Sequence, residues 1–408
     1  MDKSLIRRNR LRRAGAAARP GRGRRRAGAA AVLVTVAALA AGCTVDGPAG
    51  QDKAAQEQEE LKPHFSVADD AEGVSVLDPV SVSVEKGKLE KVSMTNEEGK
   101  EVKGALNPEG TEWKSDEVLG YGRTYTLAAT ADGKTTERTF TTVSPQYTAE
   151  SYISPSDDAV VGVGEVIQIN FDVTVPDRKA AQDAITITTD PPVEGAFYWY
   201  SGSQVRWRPA EFWKPGTKVN VEIDSYGKKL GGDIYGGDTS TASFSIGDEV
   251  IAVADDSTKT MTVNRNGVSE MSMPISMGRD AWLTPNGVYR VGEQRESMIM
   301  DSSTFGLSQS EGGYRTKVQY ATQLSYSGIY VHAAPWSVGA QGSYNASHGC
   351  INVTTANAKW FMENTKPGDI VIVKNTKGDT LSGWDGLGEW NVPWETWKAG
   401  NADEGSGS

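Results

Sequence analysis

Cysteine and histidine are nearly absent from this sequence, and their scarcity bounds its chemistry. Its 408 residues hold two cysteines, Cys43 and Cys350, and three histidines, His64, His332 and His348. Two cysteines exclude a disulfide-rich scaffold, and no second thiol or spaced carboxylate completes a tetrahedral zinc set, so neither metal nor cofactor is expected. Long helical heptads are missing as well, which excludes a coiled coil. Positive charge is scarce beyond the first residues. Lys3, Arg7, Arg8, Arg10, Arg12, Arg13, Arg19, Arg22, Arg24, Arg25 and Arg26 cluster at the start, yet the whole chain carries a formal charge of −11. The chain beyond this cluster is strongly acidic, and no nucleic-acid partner is expected, because phosphate binding needs a basic face. Long apolar runs are also lacking. Residues 27–41 are apolar and uncharged but fall short of the ~20 residues a membrane-spanning helix requires.

A basic start, a short apolar stretch and small residues before a cysteine read instead as a secretory signal over residues 1–42. Leu39-Ala40-Ala41-Gly42-Cys43 resembles a bacterial lipobox, with Ala40 where leucine is usual. That resemblance implies a lipid on Cys43, which would tether an extracytoplasmic protein to the outer face of the membrane. Residues 43–64, rich in Gln, Glu, Ala, Asp and Lys, read as a flexible spacer. Arg24-Arg25-Arg26 leaves twin-arginine export open beside the general route. With Cys43 lipidated, Cys350 is the one thiol left in an oxidising compartment; a Cys43–Cys350 disulfide is the alternative.

Glycine (45) and tryptophan (11) are plentiful, which favours a mainly β protein with many turns. Short alternating strands such as Ser81-Val82-Ser83-Val84, and the Asp132-Gly133 hairpin signal, suggest an immunoglobulin-like sandwich over residues 65–144. Ile167, Ile169 and Phe171, then Val219, Val221 and Ile223, alternate with polar residues and suggest a second sandwich over 145–247. A third unit, 248–374, opens on strands with Asn266-Gly267 and Asn286-Gly287 turns. Its one clear helix starts near Thr355, the expected cap, and stops before Pro367-Gly368. The extension 375–408 carries Trp384, Trp390, Trp394 and Trp397, a density that suits packing back onto a domain.

Two of the three histidines lie near the remaining thiol, in Ile329-Tyr330-Val331-His332 and Ser347-His348-Gly349-Cys350-Ile351-Asn352. A cysteine attacks as thiolate, and an imidazole within reach can take its proton and later return it to a leaving group. Gly349 before the nucleophile lets the backbone approach closely and leaves amides for an oxyanion. The site falls wholly within the third unit, so residues 248–408 are expected to fold alone.

The Ser-His-Gly-Cys-Ile-Asn run preceded by His332, with Thr284-Pro285-Asn286-Gly287-Val288-Tyr289, is similar to the signature of the L,D-transpeptidase family. The order of two immunoglobulin-like sandwiches, a β-rich YkuD-type catalytic domain with a short helix and a Trp-rich extension resembles its actinobacterial, mycobacterial-type members over residues 65–408. The resemblance implies that Cys350 is the nucleophile, His332 the general base, and His348 a positional neighbour. Gly349 and Cys350 would supply the oxyanion amides. Tyr314 matches a lid tyrosine, Ser327, Gly328, Ser347 and Asn352 substrate-contacting positions, and Trp336 a residue at the entrance. It further implies 3→3 cross-linking of peptidoglycan stem peptides by a monomer, and acylation by carbapenem β-lactams. An L,D-carboxypeptidase using the same thioester, or a non-catalytic wall-binding lipoprotein, remain alternatives. Ala333 stands where relatives often have Ser or Gly; it preserves the role only if its main-chain carbonyl orients the imidazole.

Overall fold

A computed structural model of the chain describes residues 62–405. The export segment, Cys43 and nearly all of the spacer lie outside the described residues. The described chain is mainly β, with short helices.

Nearest the start are two four-stranded sheets. His64–Phe65, Ser81–Ser83, Glu112–Ser115 and Gly104–Leu106 belong to one, and Ala71–Val74, Lys134–Thr142, Thr124–Ala131 and Leu89–Asn96 to the other. Their inner positions share one core around Val82, Met94, Leu127 and Phe140. Asp132 and Gly133 join Thr124–Ala131 to Lys134–Thr142 with φ of 51° and 70°. Two left-handed residues match the twist of a tight hairpin, which is why Asp-Gly occurs there.

A second pair of sheets comes next in the chain. One orders Ser151–Ser154, Ile167–Phe171, Gln204–Pro209 and Gly195–Ser201, the other Val160–Val161, Ser240–Ile246, Lys218–Ile223 and Ile185–Asp190. Ile167, Ile169, Val221 and Ile223 face inward, as their alternation requires.

The remaining chain builds a five-stranded sheet, ordered Val268–Pro274, Thr260–Arg265, Val250–Asp255, Ile370–Lys374, Gly287–Arg290. Beside it lies a four-stranded sheet of Gln294–Asp301, Arg315–Gln323, Tyr330–Ala333 and Ile351–Val353. Residues of both sheets share a core with Ala358 and Phe361 of the helix Thr355–Asn364. Tyr330–Ala333 and Ile351–Val353 run parallel, with every residue buried. Parallel strands need a crossover, and residues 334–350 supply it.

Two local expectations need correction. Thr354, not Thr355, caps the helix: its hydroxyl accepts the Asn357 N–H at 3.2 Å. Asn286-Gly287 forms no turn. Gly287 opens a strand that pairs with Ile370–Lys374, while Asn286 binds the extension through Thr376 and Gly378. The third unit is also tied to the second sandwich. Ile370 packs into the second sandwich's core, and Glu165 and Arg206 of that sandwich form a buried ion cluster with Arg290 and Glu389. Residues 248–408 thus hold a core of their own that is joined to the second sandwich by apolar packing and by charge.

The tryptophans do pack back. The Trp397 indole donates to Ala196 O and that of Trp390 to Gly164 O, each at 2.8 Å. The Arg208 guanidinium lies 4.7, 5.5 and 4.6 Å from the rings of Trp390, Trp394 and Trp397.

Candidate active site

The parallel register sets His332 opposite Asn352, so the residue just before that strand, Cys350, arrives beside the imidazole's strand. A cavity of about 260 Å³ opens above, lined by His332, Cys350, Asn352, Ser347, His348, Tyr314 and Trp336 among others. Seven of the residues singled out from the sequence thus share one cavity wall.

Cys350 is buried. Its thiol points to Gly328 O at 3.5 Å, while the Tyr330 N–H and the Tyr314 hydroxyl also bond the sulfur. Burial pushes the thiol up to about 11, against these bonds. The ring of His332 is also buried, and desolvation holds it below its ordinary value. Its Nδ1 lies 2.9 Å from Ala333 O. A carbonyl only accepts, so Nδ1 carries the proton and Nε2 keeps its lone pair. Ala333 orients the ring through its main chain, and the missing hydroxyl costs nothing there.

His348 sits differently. Its Nε2 lies between an Arg279 guanidinium N at 3.0 Å and Gly312 O at 3.2 Å, and its ring stands 4.4 Å from Trp282 and 5.0 Å from Tyr314. Partial burial and the Arg279 charge both lower its pKa. The nitrogen that would act as a base is already engaged.

The turn before Cys350 is built by two hydroxyls. Thr284 donates to Gly349 O at 2.7 Å and accepts the Gly278 N–H at 2.9 Å. Ser347 donates to Cys350 O at 2.6 Å and accepts the Gly349 N–H at 3.1 Å. Gly349 itself has φ +119°, which L side chains rarely adopt. The Gly349 amide is therefore occupied, whereas the Cys350 N–H has no partner among the described residues.

Asn352 donates to Ser337 at 3.1 Å, and its buried carbonyl oxygen has no partner among the described residues. Trp336 is exposed, its ring 6.0 Å from that of His332. Gly328 lies behind the sulfur. Ser327 is exposed outside the cavity lining, its N–H on Asp385 and its hydroxyl on Ser325. Tyr314, the expected lid tyrosine, lines the cavity at the end of segment 302–314, which Ser302 ties at both ends. Sequence reasoning gave no role to Thr284, Arg279 or Trp282; Thr284 stood in the quoted Thr-Pro turn, while the other two carried no signal.

The chain has relatives among known proteins. A family model described as the L,D-transpeptidase catalytic domain matches residues 249–373, and one described as a bacterial Ig domain matches residues 71–229. The chain is 52% identical over 403 residues to L,D-transpeptidase 2 of Mycobacterium tuberculosis, covering 95% of this chain and 98% of the relative. It is 35% identical over 346 residues to L,D-transpeptidase 5 of the same organism, covering 82% and 75%. A solved LD transpeptidase in complex with imipenem is 38% identical, with a TM-score of 0.49 over 55% of this chain and 97% of that one.

Proposed function

The chain belongs to the L,D-transpeptidase family, enzymes that cross-link peptidoglycan, and on that premise we propose that it does so by acyl transfer through Cys350. The observation that carries the reading is the pairing, at one cavity, of a protonated buried thiol with a neutral imidazole whose Nδ1 is fixed by Ala333 O.

The sulfur attacks the carbonyl of the L-centre of meso-diaminopimelate in a tetrapeptide donor, and its proton passes to His332 Nε2. The Cys350 N–H meets the oxyanion. As the tetrahedral adduct collapses, the imidazolium returns that proton to the departing D-Ala amine, leaving a thioester. The side-chain amine of a neighbouring stem then attacks, gives its extra proton to His332, and expels the sulfur as thiol. The product is a 3→3 cross-link, and no cofactor takes part. Tyr314 covers the acyl pocket, Asn352 and Ser347 contact the stem from the cavity wall, and Trp336 flanks the entrance. Ser327 and Gly328 are further substrate-contacting positions, Gly328 beside the Cys350 thiol. A carbapenem opens on the same sulfur.

The surrounding organisation belongs to the same proposal: sandwiches over 65–144 and 145–247, a catalytic unit over 248–374 and an extension over 375–408. The enzyme works outside the cytoplasm as a monomer, held to the membrane by lipid on Cys43, with the sandwiches as a pedestal toward the wall.

The test is mass spectrometry of the products from a purified disaccharide-tetrapeptide. A cross-linked dimer is expected, with none from Cys350→Ala. Tripeptide alone would mean that water resolves the thioester, an L,D-carboxypeptidase. No product, and no adduct with imipenem, would leave a wall-binding protein.

A further inference from the structure

Stem peptides carry free carboxylates, among them the second carboxylate of meso-diaminopimelate, but the cavity above Cys350 has no charged side chain in its lining apart from two imidazoles held toward neutrality. We propose that Arg279 is the anion-binding residue of this site, its guanidinium taking a carboxylate of the stem peptide where the peptide leaves the cavity across Ser347 and His348. The proposal rests on the stem-peptide reading of the Cys350 cavity.

Position is the first argument. Arg279 N donates to Ser347 O at 3.1 Å, and Gly278 bridges to Ser347, so Arg279 is stitched to the segment that leads into the nucleophile. One terminal guanidinium nitrogen reaches His348, a cavity-lining residue, at 3.0 Å. The guanidinium lies 4.3 Å over the Trp282 ring, which holds its plane.

Charge is the second. Three nearby cations already have carboxylate partners: Lys259 has Asp256 at 2.8 Å, Lys377 has Asp280 at 2.7 Å, and Arg315 has Asp301 at 3.3 Å. Arg279 makes no ion pair with the described residues. A guanidinium has five N–H donors in a planar fork, and the bond to His348 leaves donors for a carboxylate.

Room is the third. Arg279 also lines a neighbouring cleft of about 490 Å³, with Asn345, Gly278 and Asp280. Ala346, Ser347 and His348 line the cavity, while Ser343, Tyr344 and Asn345 line the cleft, so one short stretch of chain separates them. Adjacent backbone segments lie ~5 Å apart and an extended peptide advances ~3.3 Å per residue, so about two residues carry a stem across.

The experiment measures KM and kcat for wild type, Arg279→Gln and Arg279→Lys on the disaccharide-tetrapeptide. It repeats them with peptides in which each free carboxylate in turn is replaced by a carboxamide. An exposed charge pair is screened, so a rise in KM of about fivefold is expected for Arg279→Gln on the parent peptide. One carboxamide peptide should show the same rise with wild type and no further rise with Arg279→Gln, and Arg279→Lys should recover part of the loss. If Arg279→Gln costs the same factor with every carboxamide peptide, it acts through His348 alone and the assignment falls; a variant indistinguishable from wild type sinks it as well. Wild type that leaves the parent peptide unconsumed would remove the stem-peptide reading itself, a result separate from turnover without charge coupling.

Discussion

Two opposed effects act on the Cys350 sulfur. Burial favours the uncharged thiol, hydrogen bonds from Tyr330 N–H and Tyr314 favour the thiolate, and burial wins, leaving the group near 11. At neutral pH the resting residue is a thiol, so attack needs a base at that moment, and His332 is buried, neutral and held by Ala333. A protonated imidazole cannot accept the proton. The rate of imipenem acylation should therefore be level near neutrality and fall on acidification, with its midpoint below the ordinary imidazole value. His332→Ala should slow acylation by at least about 10²-fold and abolish that limb. His348→Ala should keep the limb and lose less, since its Nε2 is bound by Arg279. Stopped-flow acylation across pH decides it: a limb lost with His348 and kept without His332 reverses the assignment. These residues were legible because they are rare; with three histidines and one thiol after Cys43, their juxtaposition stood out. Thr284 and Arg279 were not, because each acts on the motif from 65 or 69 positions away, and nothing local marks a threonine or arginine that does so.

Among elements, the hairpins were legible wherever chemistry and conformation are one fact. Asn266 and Gly267 have φ of 49° and 79° between Thr260–Arg265 and Val268–Pro274, as Asn-Gly demands. The same dipeptide at Asn286-Gly287 misled, because its side-chain partners lie in the extension. The lid had no periodic signal: residues 302–314 hold short 3₁₀ turns, Ser302–Phe305 and Gln309–Glu311, between two long strands. What shapes it is one hydroxyl. The Ser302 hydroxyl donates to Leu307 O at 2.8 Å, with Tyr314 O also 3.1 Å away, and accepts the Tyr314 N–H at 2.7 Å. Such bonds contribute ~0.5–1.5 kcal/mol each, and the lid is peripheral to the main core. Ser302→Ala should thus slow imipenem acylation roughly three- to tenfold by loosening Tyr314, with little change in Tm. Hydrogen exchange should quicken in 302–314 alone. Unchanged exchange there would mean that Ser302 does not hold the lid.

Across the whole molecule the sandwich and the catalytic sheets are joined by charge as well as by apolar packing. Glu165 and Arg206 come from the second sandwich, Arg290 from a catalytic strand and Glu389 from the extension, and all four are buried. One Glu389 oxygen meets both arginines, with Arg290 at 3.0 Å, and Glu165 meets Arg290 at 2.7 Å. The pattern was invisible in sequence, because these four charges are scattered over more than two hundred positions and look like ordinary surface residues. Arg206 and Arg290 find their carboxylate partners in Glu165 and Glu389 where all four side chains are buried. Glu389→Gln keeps the shape but leaves two buried guanidinium groups against Glu165 alone. Removing one partner of a buried pair costs ~3–5 kcal/mol, because the remaining charge has lost its compensation. At ~2–4 °C per kcal/mol for a domain of this order, Tm should fall by at least about 6 °C. Arg206 and Arg290 sit in the seam rather than in the Cys350 cavity, so acylation by imipenem at 20 °C should stay within about twofold of wild type. Calorimetry and acylation on the same sample separate the two effects. A variant as stable as wild type would mean that the apolar seam alone holds the catalytic sheets to the sandwich, and a stable variant with slow acylation would place Glu389 in control of the site.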